Sequence, residues 1–319
     1  MRFVALALLL ALSSLAHAQP WPSRPVRIVV PFPPGGGIDV AVRIVGERLT
    51  SALGQPVVID NRAGAGGVIG TDAAAKAPGD GYTILASTPG PTSIAVNTNP
   101  KLPYDPVADF APVSMLAVGA NVVVVHPTSP ARSMQELLAL ARARPGALNF
   151  GSSGVATSQH LSAELLKYMA KIDFVHVAYK GTGLALADLF AQRLDFMIAD
   201  PSVLAHVKSG KVRALAVTTP KRYAGSPEIP TVAESGLPGF EAVNWYSLLV
   251  PAATPKVIIG RLNTEVVKIL SQPDIRTKLL EQNIEAAYST PDELARYLKK
   301  DIDKWAAVVK AAGIKPEGS

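Results

Sequence analysis

The turn Phe32–Gly36, together with the glycine that follows it, offers the chemistry of anion binding. The apolar run Val26–Pro31 predicts a buried strand before the turn, and Asp39–Leu53 predicts a helix after it. Glycine lets the backbone approach a ligand closely, and the free N–H groups of a helix's first turn favour a negative charge. Proline has no N–H group, so the donors must come from Gly35 onward. We therefore predict that this turn binds a carboxylate or a phosphate.

A second turn with similar chemistry is Gly151–Gly154, which follows a predicted strand and leads through Thr157 into a predicted helix, Ser158–Met169. Its hydroxyl and backbone N–H groups could hold an anion. One serine could instead be a catalytic nucleophile, but the turn lacks the GxSxG spacing and its base would have to be His126, His160, His176 or His206. His160 is close in sequence, but its place on the following helix favours a packing or capping role. Binding is therefore favoured over catalysis, and a serine hydrolase that uses Ser152 or Ser153 is the alternative.

Nucleotide, metal and redox chemistry have little support in the sequence. The glycine cluster Gly64–Gly70 lacks the GxGxxG spacing and the lysine of a phosphate-binding loop. The histidines are isolated, no HExxH or HxH pair occurs, and the chain has no cysteine. Lys and Arg exceed Asp and Glu by only 31 to 25, without a basic stripe that carries aromatic residues. We expect no metal, no cofactor and no nucleic-acid partner.

Residues 1–18 predict export through a cleaved signal peptide. Arg2 supplies the positive charge, Val4–Leu12 the apolar core, and Ala16–Ala18 a small-x-small cleavage site. The apolar stretch is shorter than the roughly 20 residues of a membrane-spanning helix. Without cysteine, neither a disulfide framework nor a lipid-modified cysteine anchor is possible. We expect cleavage after Ala18 and a soluble mature chain that begins at Gln19.

The order of the predicted elements indicates the fold class. Strand-like apolar runs alternate with amphipathic stretches, which predicts an α/β fold with largely parallel sheets. About 300 residues after the signal peptide suffice for two domains. The C-terminal helices need a sheet to cover, so the chain should return to its first unit. We expect domain 1 to contain residues 19–125 plus 241–319, domain 2 to contain residues 126–240, and two crossings to form a hinge.

Two other features have a structural explanation by default. Asp301–Lys304 lies on a predicted C-terminal helix, where a solvated face is expected. The aromatic residues Tyr179, Trp245 and Tyr246 are expected to be partly core residues rather than a platform for a ligand.

Several motifs, taken in order, resemble a known family. They are PF--GG--D at Pro31–Asp39, GQPVVIDNRAGAGGVIGTDAAAKAPGDGYTIL, LPYDPVADFAPV, GSSGVATSQHL, VHVAYKGTG, IPTVAESGLPGFE and TPDELARYLKKDIDKWAAVVKAAGIK. Each motif alone is weak. Their shared order and spacing over nearly the whole mature chain resemble the extracytoplasmic substrate-binding receptors of tripartite tricarboxylate transporters, also called the Bug family.

The resemblance implies a two-domain periplasmic-binding-protein fold of type II that closes on a small organic mono- or dicarboxylate. It implies a periplasmic receptor rather than an enzyme, with membrane transporter subunits as partners, and we expect a monomer. The residues that the resemblance and the turns together place at the ligand are Phe32, Pro33, Pro34, Gly35, Gly36, Ser87, Thr88, Ser152, Ser153, Gly154, Thr157, Ser158, Tyr179 and Asp200.

The chain departs from the family pattern at the ligand loops. The two prolines of the first turn stand where the family has small residues, Ile38 replaces a hydroxyl residue, and Val155–Ala156 replaces Asn-Gly. The stretch Ile198–Ser202 is one residue shorter than the pattern, which leaves the role of Asp200 open. These changes predict a more apolar pocket, whose ligand could be aromatic. A sensor protein in place of a permease is the alternative partner.

Overall fold

The computed structural model describes residues 21–314, which form two α/β lobes, each built on its own sheet. The strands are β1 (Val26–Val30), β2 (Val57–Asn61), β3 (Thr83–Ser87), β4 (Phe110–Ala120), β5 (Val122–Val125), β6 (Asn149–Ser152), β7 (Val175–Ala178), β8 (Phe196–Ala199), β9 (Arg213–Val217), β10 (Val243–Pro251) and β11 (Glu285–Ala286). The helices are α1 (Gly37–Leu53), α2 (Val68–Ala75), α3 (Ala95–Thr98), α4 (Met134–Ala143), α5 (Ser158–Ala170), α6 (Thr182–Phe190), α7 (Leu204–Lys208), α8 (Lys256–Leu270), α9 (Pro273–Glu281) and α10 (Pro291–Ala311).

The sheet of the first lobe has the strand order β11-β4-β10-β3-β1-β2. β1 pairs in parallel with β2 and β3, as the predicted α/β fold requires. β10 pairs antiparallel with both β3 and β4. The expectation of largely parallel sheets is therefore wrong. β4 leads out of this lobe and β10 leads back into it, so the two strands run in opposite directions side by side.

The sheet of the second lobe has the order β7-β6-β8-β5-β9 and is also mixed. β6 pairs in parallel with β7 and β8, whereas β5 pairs antiparallel with β8 and β9. The carboxyl ends of β6 and β8 therefore lie at the same edge of the sheet. Open α/β sheets bind ligands at such an edge.

Hydrogen bonds join the two crossings between the lobes. Asn121 is the single residue between β4 and β5, and its carbonyl accepts the N–H of Thr218 at 2.9 Å. Thr218 in turn accepts the N–H of Ala242 at 2.9 Å and donates its hydroxyl to the carbonyl of Ala242 at 2.7 Å. The strands thus place the first crossing at Asn121. The division at residues 125/126 and 240/241 stays a prediction.

Helix α10 packs against both lobes. Leu294 and Leu298, near its start, lie in the apolar core around β1, β3 and β4, while Trp305 and Val309 pack with core residues of the second lobe. Asp301, between these two groups, is buried and accepts a hydrogen bond from Trp245 Nε1 at 3.0 Å. The expectation of a solvated face is therefore wrong at Asp301. Within residues 21–314, no helix has the length and apolar character needed to cross a membrane.

Candidate functional site

The two turns that predict anion binding face each other across a cavity of about 790 Å³ between the lobes. The predicted site residues that line it are Phe32, Pro33, Pro34, Gly35, Gly36, Thr88, Ser153, Thr157, Ser158 and Asp200. A neighbouring cavity of about 420 Å³ is lined by Gly154 and Tyr179 and shares Phe32 and Ser153 with the larger one. Ser87 and Ser152 are fully buried beside these turns and line neither cavity. Contact of any of these residues with a ligand stays a prediction.

The buried carboxylate of Asp39 holds the first turn in shape. Gly35 has a φ of +89°, which favours glycine, and donates its N–H to Asp39 Oδ2 at 2.9 Å. Arg43 Nε and Asn61 Nδ2 donate to the same carboxylate, each at 2.9 Å. Burial tends to raise the pKa of Asp39, but the hydrogen bonds from Arg43, Gly35 and Asn61 outweigh it and leave the pKa below its ordinary value. Asp39 is therefore ionised at neutral pH.

The first turn leaves backbone donors free at the start of α1. Gly36 and Ile38 line the cavity, and among residues 21–314 their N–H groups have no hydrogen-bond partner. Between them, Gly37 donates its N–H to Asp200 Oδ1 at 3.2 Å. The partial positive charge of the helix N-terminus is added to these donors. The first turn can thus offer two N–H groups to an anion.

The second turn presents the start of α5 to the same cavity. Thr157 caps this helix, because its hydroxyl oxygen accepts the N–H of His160 at 3.3 Å. Ser158 and Gln159 line the cavity, and their N–H groups also lack a partner in the part of the chain that the structure describes. Ser153 donates its hydroxyl to Gln159 Oε1 at 3.0 Å, which fixes both side chains. Two helix N-termini, one from each lobe, therefore meet at one cavity.

Asp200 connects the lobes beside the cavity. It follows β8 in the second lobe, and its Oδ1 accepts the N–H of Gly37 from the first lobe and that of Ser202 at 3.0 Å. Its Oδ2 accepts the hydroxyl of Thr182 at 2.5 Å. Both carboxylate oxygens thus have donors, and one of these donors belongs to the first turn of α1. Asp200 is an interlobe contact that occupies part of the anion-binding capacity of that helix.

A stacked histidine pair supports the second turn. His176 Nε2 lies 2.7 Å from Ser152 Oγ, and His160 Nδ1 accepts the N–H of Ala156 at 3.1 Å. The two rings are nearly parallel, with centroids 4.1 Å apart. Burial, followed by the charges of His176 and Lys167, lowers the pKa of His160 to about 3. Burial and Lys167 lower the pKa of His176 to about 4. Both rings are therefore neutral at pH 7.

The contact between Ser152 and His176 resembles the pair that a serine hydrolase requires, but its surroundings do not suit catalysis. A nucleophile must reach the carbonyl carbon of its substrate. Ser152 is 0% exposed and lies outside the lining of both cavities. The histidine pair therefore positions the turn through hydrogen bonds, and the one that His160 Nδ1 accepts requires a neutral ring.

The remaining predicted residues lie at the margin of the site. Ser87 ends β3, and its Oγ lies 3.0 Å from Thr92 Oγ1, which donates to the carbonyl of Thr88 at 2.6 Å. Tyr179 donates its hydroxyl to Asp188 Oδ2 at 2.7 Å. Burial and Asp188 raise the pKa of Tyr179 to about 12, so its hydroxyl stays protonated. These contacts orient the loops around the cavities.

The sequence patterns did not single out several residues that line the larger cavity. They are Gln159, Lys180, Thr182, Asn244 and Asn283. Gln159 and Thr182 lie in the first turns of α5 and α6, where the rule for helix N-termini could have found them. Asn244 and Asn283 come from the C-terminal third of the chain, and no local pattern marks them. Tyr246 was expected to be partly a core residue, and it is fully buried while it also lines the cavity.

Comparison with known proteins defines the class to which this fold and site belong. Residues 41–314 match the sequence model of the family described as TctC, tripartite tricarboxylate transporter family receptor. The protein BugT of Bordetella pertussis is 38% identical over 315 residues, which cover 98% of this chain and 96% of that protein. The chain therefore belongs to the tripartite tricarboxylate transporter receptor family, the Bug family.

Solved structures show the same two-lobed architecture. The R. palustris protein Rpa4515 with adipate is 38% identical, with a TM-score of 0.90 over 93% of this chain and 99% of that one. MatC (Rpa3494) from Rhodopseudomonas palustris, with bound malate, is 32% identical, with a TM-score of 0.85 over 91% of this chain and 100% of that one. The resemblance found in the sequence and the predicted fold class, a two-domain periplasmic-binding-protein fold of type II, are thus confirmed.

Proposed function

We propose that this protein is an extracytoplasmic receptor that binds a small organic mono- or dicarboxylate between its lobes and delivers it to a tripartite tricarboxylate transporter. One observation carries the proposal: the first turns of α1 and α5, from opposite lobes, line one cavity with N–H groups that have no partner among residues 21–314. Two helix N-termini favour a carboxylate without a cationic side chain. The adipate and malate bound by the two structural relatives support the same chemical class.

The proposed site works as a clamp. The loop Phe32–Gly36 contributes from the first lobe and the loop Ser152–Ser158 from the second, so only the closed form brings both sets of donors to the ligand. Thr88, Tyr179 and Asp200 complete the proposed surroundings of the ligand. A ligand that binds the closed form better shifts the population toward it. Binding is therefore coupled to closure.

A carboxylate ligand is expected to stabilise the protein against heat. At 100 times its dissociation constant, a ligand that binds only the native state adds about 2.7 kcal/mol to the free energy of unfolding. For a protein of this size, the melting temperature should rise by about 5 °C. A thermal-shift screen of mono- and dicarboxylates measures this, and small-angle scattering should show a smaller radius of gyration with the same ligand.

The variant Ser153→Ala should weaken both responses, because it removes a hydroxyl of the second turn and leaves the first turn intact. Lys208→Ala, a substitution outside the cavity lining, serves as the matched control. A carboxylate that binds tightly without compaction, and with the same affinity for Ser153→Ala, would show that the site lies within one lobe.

We propose that the protein is periplasmic, since the family consists of transporter receptors and the N-terminus has a signal-peptide pattern. The predicted cleavage after Ala18 lies outside the described residues. The exported protein should begin at Gln19, and the intact mass of protein recovered from the periplasm measures this. Recovery of the full 319-residue chain from the membrane fraction would contradict it.

We also propose that the receptor is a monomer, does no chemistry on its ligand and transfers it to the membrane subunits of the transporter. The family description supports this partner over the alternative, a sensor protein. Ser152 is buried away from the cavity, and Ser153 donates its hydroxyl to Gln159 instead of a histidine; both observations support binding over the alternative of a secreted serine hydrolase.

A further inference from the structure

Three polar side chains of the first lobe line the cavity without complete hydrogen bonding. Asn244 and Asn283 are 3% and 2% exposed, and each has a buried side-chain oxygen with no partner within residues 21–314. Tyr246 accepts one long hydrogen bond, 3.5 Å, from Asn244 Nδ2, and its own hydroxyl proton finds no acceptor in the described chain. Buried polar groups are nearly always paired in native proteins. Their presence at a ligand cavity therefore points to a partner that arrives with the ligand.

Both amides stay incompletely paired whichever way they are oriented, and a hydroxyl group, which can both donate and accept, satisfies either orientation. If the amide of Asn244 were turned by 180°, its oxygen would accept from Tyr246, and its NH₂ group would take the buried position without a partner. One edge of the amide would remain unsatisfied in either case. The same holds for Asn283, whose backbone carbonyl accepts the hydroxyl of Tyr223 at 2.8 Å while its side chain stays unpaired.

The charge beside these residues selects the kind of group that they can accept. Asp200 and the Tyr246 hydroxyl lie on the same side of Gly37, where a Cβ would contact both of them. Burial, then Asp200 and Tyr223, raise the pKa of Tyr246 well above its ordinary value. A second carboxylate placed here would be repelled by Asp200, whereas a hydrogen-bond donor would be attracted. Lys180 and His206 also line the cavity but do not belong to this group of residues.

We propose that Asn244, Tyr246 and Asn283 form a specificity subsite for a hydroxyl or ammonium group carried by the carboxylate ligand. The assignment rests on the proposed function, since the carboxylate itself is held by the turns at α1 and α5. The favoured substrate class is a hydroxy- or aminocarboxylate. A carboxylate of the same carbon skeleton that lacks the donor binds more weakly, because it leaves the buried amides unpaired.

Calorimetry with two matched ligand sets tests the subsite. The first set is succinate, malate and aspartate, and the second is hexanoate, 6-hydroxyhexanoate and 6-aminohexanoate. Within the ligand set that binds, either the hydroxyl or the amino derivative should bind about tenfold more tightly than the unsubstituted carboxylate. The affinities of these two derivatives show which donor the subsite prefers. Adipate should bind no more tightly than 6-hydroxyhexanoate.

Two variants connect this preference to the subsite. Asn244→Leu keeps the branched shape of the side chain without its polar atoms, and Asn283→Gly tolerates the φ of +56° at that position. Each should reduce the tenfold preference to less than about threefold while the unsubstituted carboxylate still binds. Thr254→Val is the matched control, because Thr254 is also buried with an unpaired side-chain oxygen but lies outside the cavity lining.

The outcomes distinguish the subsite from the proposed function. Carboxylates that bind without a donor preference, or a preference that survives in both Asn244→Leu and Asn283→Gly, overturn the subsite and leave the receptor function standing. Failure of every carboxylate to bind overturns both. If Asn244→Leu does not fold, the retained or lost preference of Asn283→Gly decides.

Discussion

Gly37→Ala is expected to lower the affinity for a carboxylate ligand by about 100-fold while the protein still folds, which corresponds to about 2.7 kcal/mol. A Cβ at this position would overlap the Tyr246 hydroxyl and would lie 3.2 Å from Asp200 Oδ1. Tyr246 is fully buried and cannot move aside freely. The start of α1 must therefore shift, and with it the N–H groups of Gly36 and Ile38. Overpacking of this kind destabilises a fold by about 1 to 3 kcal/mol.

The neighbouring glycine provides a matched control. Gly36 has a φ of −77°, which any residue adopts, and the nearest atom to a Cβ there would be the Pro33 carbonyl oxygen at 4.0 Å. Gly36→Ala should therefore change the melting temperature little and the affinity by less than about tenfold. Calorimetry with the same carboxylate measures both variants. Equal affinity of Gly37→Ala and the unsubstituted protein would contradict the proposed role of the first turn of α1.

The difference between these two glycines shows where prediction from the sequence stops. The run of Pro33 to Gly37 predicts a turn at a helix start, because proline and glycine restrict or release the local backbone. Which glycine has no room for a side chain depends on Tyr246 and Asp200, which are distant in sequence and approach only in the folded chain. Local patterns predict the turn, and tertiary contacts decide its tolerance to substitution.

The same limit explains which strands can be predicted from local sequence patterns. β1 lies within the predicted strand Val26–Pro31, whereas no strand is predicted over β4, which contains Pro112 and Gly119. Proline and glycine weaken a strand pattern, but β4 is held between β10 and β11, with register shifts along its pairing with β10. Asp301 is a comparable case: its charge predicted solvent, and its partner Trp245 becomes visible only in the packed structure.

Acidification is expected to destabilise the protein through the histidine pair. The unfolded chain binds protons at an ordinary histidine pKa of about 6.5, whereas the folded chain holds His160 at about 3 and His176 at about 4. The contribution of the two neutral rings to stability is present above pH 6.5. It is lost as the pH falls toward the pKa values of the folded state, because the unfolded state binds more protons there. Between pH 7.5 and 5, each ring should lower the free energy of unfolding by about 2 kcal/mol.

The groups around the two histidines explain why their pKa values are lowered. Burial is the main cause for both rings, and Lys167, which faces the pair from α5, adds repulsion. Glu164 Oε1 lies 3.8 Å from His160 Nε2 and would favour the charged ring, but burial raises the pKa of Glu164 as well. The proximity of Glu164 therefore does not restore an ordinary histidine pKa, and the pair stays neutral until the solution is strongly acidic.

Ligand affinity should not change through these rings between pH 5 and 7.5, because both stay neutral in the folded protein over that range. His160 Nδ1 accepts the N–H of Ala156, and protonation of that nitrogen replaces an acceptor with a second donor. Urea unfolding between pH 5 and 7.5 measures the stability, and calorimetry in the same buffers measures the affinity. The double variant His160→Gln/His176→Gln should be less stable at pH 7.5 but should lose most of the pH dependence.

His126→Gln is the control for this double variant, since His126 lies outside the pair and contacts Thr128 instead. It should keep the full slope of stability against pH. If the double variant keeps that slope too, other groups cause the acid sensitivity. A fall in ligand affinity at pH 5 that is the same in the double variant comes from groups other than the histidine pair. Loss of the stability slope in the double variant, with weaker ligand binding already at pH 7.5, would show that the neutral histidine pair maintains the ligand-binding shape of the second turn.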